Sequence, residues 1–257
     1  MELIKYYIML MLSYKKLKQL FHSLFLAFLF AFFFHTLVYQ PFKIPSSSMK
    51  PGLQIGDYLF VEKFSYGYNN SSLSFMLNKF DLFSQSFFFK APQRGDVVVF
   101  LLPSDTSKHY IKRIIGLPGD IIQVKDKQLY INNIPIRKEK QGHGVKIIQH
   151  GVYSIQNTFK ETLPNGVHYL IHMNDGEAKY QHRFDPNNTI IYRVPSGHYF
   201  CMGDNRDNST DSRFKNVGYV SKNKILGKAK VLFFTSDFSL LEFLTKLKMN
   251  RVFNIIK

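Results

Sequence analysis

The segment "YIKRIIGLPGDIIQV", residues 110–124, decides the fold. It reads as a strand, a Pro-Gly turn and a second strand, and the "KDK" that follows turns into "QLYINN" to give another hairpin. Gly-Asp pairs recur at Gly56-Asp57, Gly95-Asp96, Gly119-Asp120 and Gly203-Asp204, beside β-rich runs such as "VVVFLL" and "IIQV". Short strands with this punctuation predict a mainly β domain. Within the first strand, alternation puts Tyr110, Lys112 and Ile114 on one face and Ile111 and Arg113 on the other. Few surface strands place a lysine and an arginine side by side among isoleucines, so Lys112 stands apart from the other lysines.

Upstream of the β texture lies "LFHSLFLAFLFAFFFHTLVY", residues 20–39, which contains no Asp, Glu, Lys or Arg. A helix needs about 20 apolar residues to cross a bilayer. A cleavable secretory signal would have a shorter apolar region and a small-residue cleavage site, and "HTLVYQPFKIP" offers none. The run is therefore expected to be a retained anchor. Lys5, Lys15, Lys16 and Lys18 precede it, which places residues 1–19 in the cytoplasm and residues 40–257 across the membrane. His22 and His35 near its ends suit the headgroup level. The apolar "YYIMLML" at residues 6–12 is too short to span and is expected on the membrane surface.

The 257 residues carry 34 Lys and Arg against 18 Asp and Glu, a formal +16 that by itself does not choose between nucleic acid and an anionic membrane. The lone Cys201 excludes an internal disulfide and reads as a small buried apolar residue. No phosphate-binding G-x-x-x-x-G-K-[ST] motif is present, which argues against nucleotide chemistry. Residues 64–92 and 138–190 lack a clear period and read as insertions that decorate the core. The tail "FSLLEFLTKLKMNRVFNIIK" has helical apolar spacing with interleaved Lys and Arg, which suits either a helix on anionic lipid or one packed on the sheet.

Two further segments carry the candidate chemistry. "PSSSMKPGLQIGD", residues 45–57, offers serines, and a serine hydroxyl becomes a nucleophile only with a general base in hydrogen-bond reach. Candidate bases are histidines such as His109, or a lysine kept neutral by desolvation, for which Lys112 is the distinctive choice. Bringing a lysine from ~10.4 to near ~8 corresponds to about 3 kcal/mol, which apolar walls must supply. "GDNRDNSTDSR", residues 203–213, is dense in hydroxyls and carboxylates, but it lacks the glycine a calcium loop requires after the third ligand position. His168 and His172 have an i,i+4 spacing without the adjacent Glu of a zinc-hydrolase helix, and "NGVHYLIHMND" reads as strand and turn.

Taken together, "PSSSMKPGLQIGD", "RGDVVVF" with "YIKRIIGLPGD", and "GDNRDNSTDSR" resemble, in order and in residues, the motifs of bacterial type I signal peptidases. These are membrane-bound Ser-Lys endopeptidases that remove secretory signal peptides. The resemblance covers most of residues 40–135 and 194–230. It implies an antiparallel β-sheet catalytic domain behind the anchor, with Ser48 as nucleophile and Lys112 as general base, a variant of the triad logic. It further implies an oxyanion hole from the Ser48 N–H and the Ser46 hydroxyl, with Ser209 orienting the lysine. Ile44, Met49, Leu53, Tyr110 and Ile111 match positions lining shallow pockets for small side chains, and Arg113, Asp204, Asp211 and Arg213 match structural charges. The implied partners are secretory preproteins, membrane phospholipid and the secretion translocon, on the outer face of a bacterial cytoplasmic membrane. Neither metal nor cofactor nor nucleic acid is implied. Ser47 and Gly52 depart from the pattern of many relatives without removing a functional group, and this chain has one convincing span where some relatives have two.

Overall fold

The computed structural model describes residues 2–69, 71–72, 90–149, 152–175, 184–235 and 253–256. A single helix, α1, runs over Glu2–Leu37, so the apolar residues 6–12 belong to the same helix as the long apolar run and do not form a separate segment. Its stretch Ser13–Leu37 is long and apolar enough to cross a membrane, and only 6% of that window is buried against the rest of the protein. The helix stops before Tyr39, where Pro41 lacks the N–H that an interior turn needs and the chain turns into strand.

The chain then runs through β1 (Tyr39–Lys43), β2 (Asp57–Glu62), β3 (Val97–Leu102), β4 (Asp105–Gly116) and β5 (Ile121–Lys125). It continues with β6 (Gln128–Ile131), β7 (Ile134–Pro135), β8 (Arg137–Gln149), β9 (Val152–Thr162) and β10 (His168–Asn174). Last come β11 (Tyr192–Arg193), β12 (His198–Met202), β13 (Val220–Ser221), β14 (Ile225–Thr235) and β15 (Asn254–Ile255). The pairings among these strands are antiparallel: one sheet in the order β1-β2-β14-β3-β4-β12-β13 with β15 beside β14, a second of β10-β9-β8, and a third of β11-β5-β6-β7.

Alternation along β3 divides the core. Val97 and Val99 join Ile44, Met49, Leu53, Leu59, Val61 and Ile111 in one cluster, while Val98 and Phe100 join Ile114, Tyr199 and Cys201 in another on the opposite face. A third cluster, with Ile115, Ile122, Leu129, Ile131, Ile171 and Phe200, joins the smaller sheets to the end of β4.

The expected hairpin from "KDK" into "QLYINN" forms: β5 pairs with β6 across Asp126 and Lys127, both at positive φ (46° and 62°) as a two-residue hairpin turn demands. The Pro-Gly turn at residues 117–120 does not close a hairpin. Strand β4 pairs with β3 and β12, and β5 with β6 and β11. The break falls at Gly116, where an added Cβ would lie 2.9 Å from Ile122 and from Phe200, so the chain passes between sheets where no side chain fits.

Residues 138–190 include a regular three-stranded sheet, and the described parts of 64–92 include a 3-10 turn over Lys63–Tyr66. Of the tail, residues 238–252 lie outside the described residues, and Asn254–Ile255 forms strand β15 on β14 where the helical spacing predicts helix. There Ile256 packs on the cluster of Met49 and Leu53.

Candidate active site

Two segments far apart in sequence meet at one point. Ser48 lies in the turn between β1 and β2, Lys112 lies on β4, and Lys112 Nζ is 2.8 Å from Ser48 Oγ. Both are nearly dry, 8% and 4% exposed. The amine also donates to its neighbour's carbonyl, Ile111 O, at 2.8 Å. Among the described residues no carboxylate lies within ion-pair distance of Nζ. Burial pulls the Lys112 amine down to about 8, against the opposing pull of Asp211, Cys201 and Asp204 and with help from Arg213. A neutral Lys112 in this place accepts the Ser48 O–H while its own N–H stays on Ile111, so the pair is arranged to move a proton off the hydroxyl.

Ser46, an exposed residue, has its Oγ 3.3 Å from Ser48 Oγ. The Ser48 N–H makes no hydrogen bond among the described residues, which leaves a backbone donor next to the hydroxyl. Ser209 stands close by, since a Cβ on Gly203 would press on both Ser209 and, at 2.6 Å, on Ser48 O. Its hydroxyl is buried and has no hydrogen-bond partner among the described residues, so Ser209 lies near Ser48 without bonding Lys112.

The loop that follows β12 holds the turn that carries Ser48. The Asn205 N–H donates to Ser48 O at 3.0 Å, Asn205 Nδ2 to Ser47 O at 3.1 Å, and Asn208 Nδ2 to Ser47 Oγ at 2.6 Å. Beneath it lie three buried ion pairs. Arg113 meets Asp204 through two bonds of 2.8 and 2.7 Å, and Arg213 meets Asp211 at 2.8 and 2.9 Å. Arg206 grips Glu161 of β9 bidentately, with Tyr169 donating to the same carboxylate at 2.9 Å. The Arg113 guanidinium also stacks 4.0 Å over the Tyr169 ring. Burial pushes the Asp211 carboxyl up, but the Arg213 guanidinium and the Gly203 N–H outweigh it and hold the group below the ordinary carboxylate range.

Of the positions expected to line substrate pockets, Ile44, Met49, Leu53 and Ile111 share one apolar cluster. Tyr110 packs on the opposite face of β4 against Phe100, its ring 5.2 Å from Lys112 Nζ. Behind Met49 and Leu53 opens a cavity of about 340 Å³ floored by Arg113 and Asp204 and walled by Tyr169 and Ile255, which does not reach Ser48 or Lys112. His109 rests on Phe42 with ring centres 5.4 Å apart and no bond to Ser48, while the His172 backbone bonds Asp204 O. Among the described residues no three His, Cys, Asp or Glu side chains converge as metal ligands.

Sequence reasoning missed Asn205, Arg206, Asn208, Glu161 and Tyr169. The first three sit inside the "GDNRDN" stretch and were legible as polar turn residues. Nothing in the pattern of residues 138–190 marks Glu161 or Tyr169 as buried.

Residues 17–234 match the family described as signal peptidase, peptidase S26. A signal peptidase I of Rickettsia typhi is 40% identical over 241 residues, 91% of this chain and 89% of the relative. One from Rickettsia conorii is 39% identical over 255 residues, 93% of each chain. A crystal structure of a signal peptidase I from Enterococcus faecalis aligns with a TM-score of 0.29 and 27% identity, covering 54% of this chain and 97% of that one.

Proposed function

The chain belongs to the signal peptidase family, peptidase S26, and from that premise we propose that it is a membrane-anchored serine endopeptidase that cuts signal peptides from secreted preproteins after small residues. The observation that carries the reading is the 2.8 Å approach of Lys112 Nζ to Ser48 Oγ in a dry site. Ser48 Oγ attacks the scissile carbonyl while Lys112 takes its proton, and the developing oxyanion takes hydrogen bonds from the Ser48 N–H and the Ser46 hydroxyl. Lys112 then hands that proton to the leaving amine, and the resulting ester is hydrolysed by water with Lys112 again as base.

Ile44, Met49, Leu53 and Ile111 share one buried apolar cluster, and a pocket floored by such side chains favours small residues before the cut. Helix α1 anchors the chain in a bacterial cytoplasmic membrane with residues 1–19 inside and the β domain outside, among phospholipid and near the secretion translocon.

The direct test is cleavage of a signal-peptide-bearing preprotein by the purified full chain in detergent, with the new amino terminus sequenced. Absence of cleavage by folded protein would sink the reading. The base must be neutral to accept a proton, so kcat/KM is expected to rise about tenfold per pH unit below a Lys112 pKa of about 8 and to level off above it. A limb centred near 6.5 would assign the base to a histidine.

Gly203→Ala probes the geometry without touching the dyad. Its Cβ would press on Ser209 and on Ser48 O, displacing the nucleophile, and displacements of this scale lower rates about 10²-fold. The loss is expected in kcat more than in KM, and an unchanged kcat would mean that the loop absorbs the methyl.

A further inference from the structure

The end of α1 does not open into water. Three consecutive carbonyls accept hydrogen bonds from residues 63–68: Thr36 O from Lys63 Nζ at 3.1 Å, Leu37 O from Tyr68 Oη at 2.7 Å, and Val38 O from the Lys63 N–H at 3.1 Å. A helix leaves its last four carbonyls without partners inside the helix. The common remedy is a Gly or Asn in the left-handed conformation just past the end, and "HTLVYQP" has neither. Lys63 and Tyr68 supply the missing donors, and the positive charge of Lys63 suits the negative end of the helix dipole.

Lys63 is fully buried at 0% exposure, and burial draws its amine down to about 8. Rings also join the helix end to the domain: Tyr39 meets Phe34 of the helix at 5.8 Å, Phe60 at 5.9 Å and Phe64 at 6.0 Å between centres. The residue follows directly on β2, whose Leu59 and Val61 pack in the cluster that holds Met49 and Ile44 on either side of Ser48. A continuous packed path therefore joins the end of the membrane helix to the nucleophile turn, and Lys63 has no part in the dyad.

We propose that Lys63 is a positioning residue that, with Tyr68, locks the end of the anchor helix to the catalytic domain and so fixes the height of Ser48 above the bilayer. A peptide free in water does not sense that height. A substrate whose own apolar helix lies in the same membrane does, because the bond presented to Ser48 depends on how far the domain stands from the lipid. The inference rests on the peptidase reading above.

The test uses the full chain in vesicles of phosphatidylethanolamine and phosphatidylglycerol, as wild type, Lys63→Met and Tyr68→Phe. Each is given a short soluble peptide spanning a cleavage site and a preprotein reconstituted in the same vesicles, with products read by mass spectrometry. Lys63→Met is expected to keep kcat/KM on the peptide within about twofold, to lose about tenfold on the preprotein, and to yield products cut at neighbouring bonds. Tyr68→Phe, which removes one donor and opens no cavity, is expected to move the same ratio in the same direction by less.

Equal losses on both substrates would make Lys63 only a structural residue, and no change on either would make the lock idle. If Lys63→Met does not fold, an unchanged ratio in Tyr68→Phe overturns the proposal. Failure of wild type to cut either substrate would instead overturn the peptidase reading.

Discussion

Ser48→Ala and Lys112→Met are each expected to reduce preprotein cleavage by at least about 10⁴-fold, and the double variant is expected to be no worse than either single one. The reason is that the two groups act as one unit. A hydroxyl without a base in reach does not lose its proton, and a base without the hydroxyl has no proton to take. Steady-state cleavage of one preprotein by the four proteins tests this. Losses that multiply in the double variant, or activity surviving in either single one, would sink the dyad assignment.

Folding supplies the control. The Lys112 amine titrates at about 8 in the folded chain and near ~10.4 when unfolded, so between those values the unfolded chain binds more protons and stability rises with pH. Below 8 the folded protein carries the full penalty of a buried ammonium. Lys112→Met removes it, so the melting temperature of that variant at pH 7 is expected at or above that of wild type. Lost activity with a retained or raised melting temperature separates chemistry from unfolding.

What the sequence revealed and what it hid follow from the kind of signal each residue carries. The apolar helix was readable because twenty residues without a charge form one long hydrophobic run, although the helix extends back to Glu2, where the polar flank hides its start. The strand faces of residues 110–114 were readable because alternation dictates them: Ile111 and Ile114 fall in clusters on opposite sides of the main sheet. Alternation does not say which strand lies alongside, so β4 and β5 read as one hairpin and belong to different sheets.

The meeting of Ser48 and Lys112, 64 residues apart, came into view only through resemblance, because no local pattern encodes it. Lys63 and Glu161 were invisible for a related reason. A buried charge and a surface charge are the same letter, and only the partner supplied by the fold, Thr36 O for one and Arg206 for the other, tells them apart.

Glu161→Ala is expected to destabilise the protein by about 3–5 kcal/mol, because it strands the Arg206 guanidinium inside the domain. Arg206 is 4% exposed and Glu161 fully buried, and Tyr169 and Arg206 both lean on the same carboxylate. Breaking such a pair leaves a charge with neither water nor counter-ion, whereas removing both members removes the need for either. Glu161→Leu combined with Arg206→Met is therefore expected to recover to within about 1 kcal/mol of wild type. At roughly 2–4 °C per kcal/mol for a domain of this size, the single variant should melt about 10 °C lower.

Activity should not recover in parallel. The Arg206 side chain donates to Glu161 of β9 and, through Nε, to Gly203 O at 3.2 Å, so it ties the sheet of β8–β10 to the loop that carries the Asn205 N–H onto Ser48 O. With methionine in its place the fold keeps its packing and the loop loses its tether. The double variant should thus be stable and slow, with the deficit in kcat. Full recovery of both stability and kcat would reduce Glu161 and Arg206 to a replaceable piece of the core. Residues 137–174 would then have no part in holding the turn that carries Ser48.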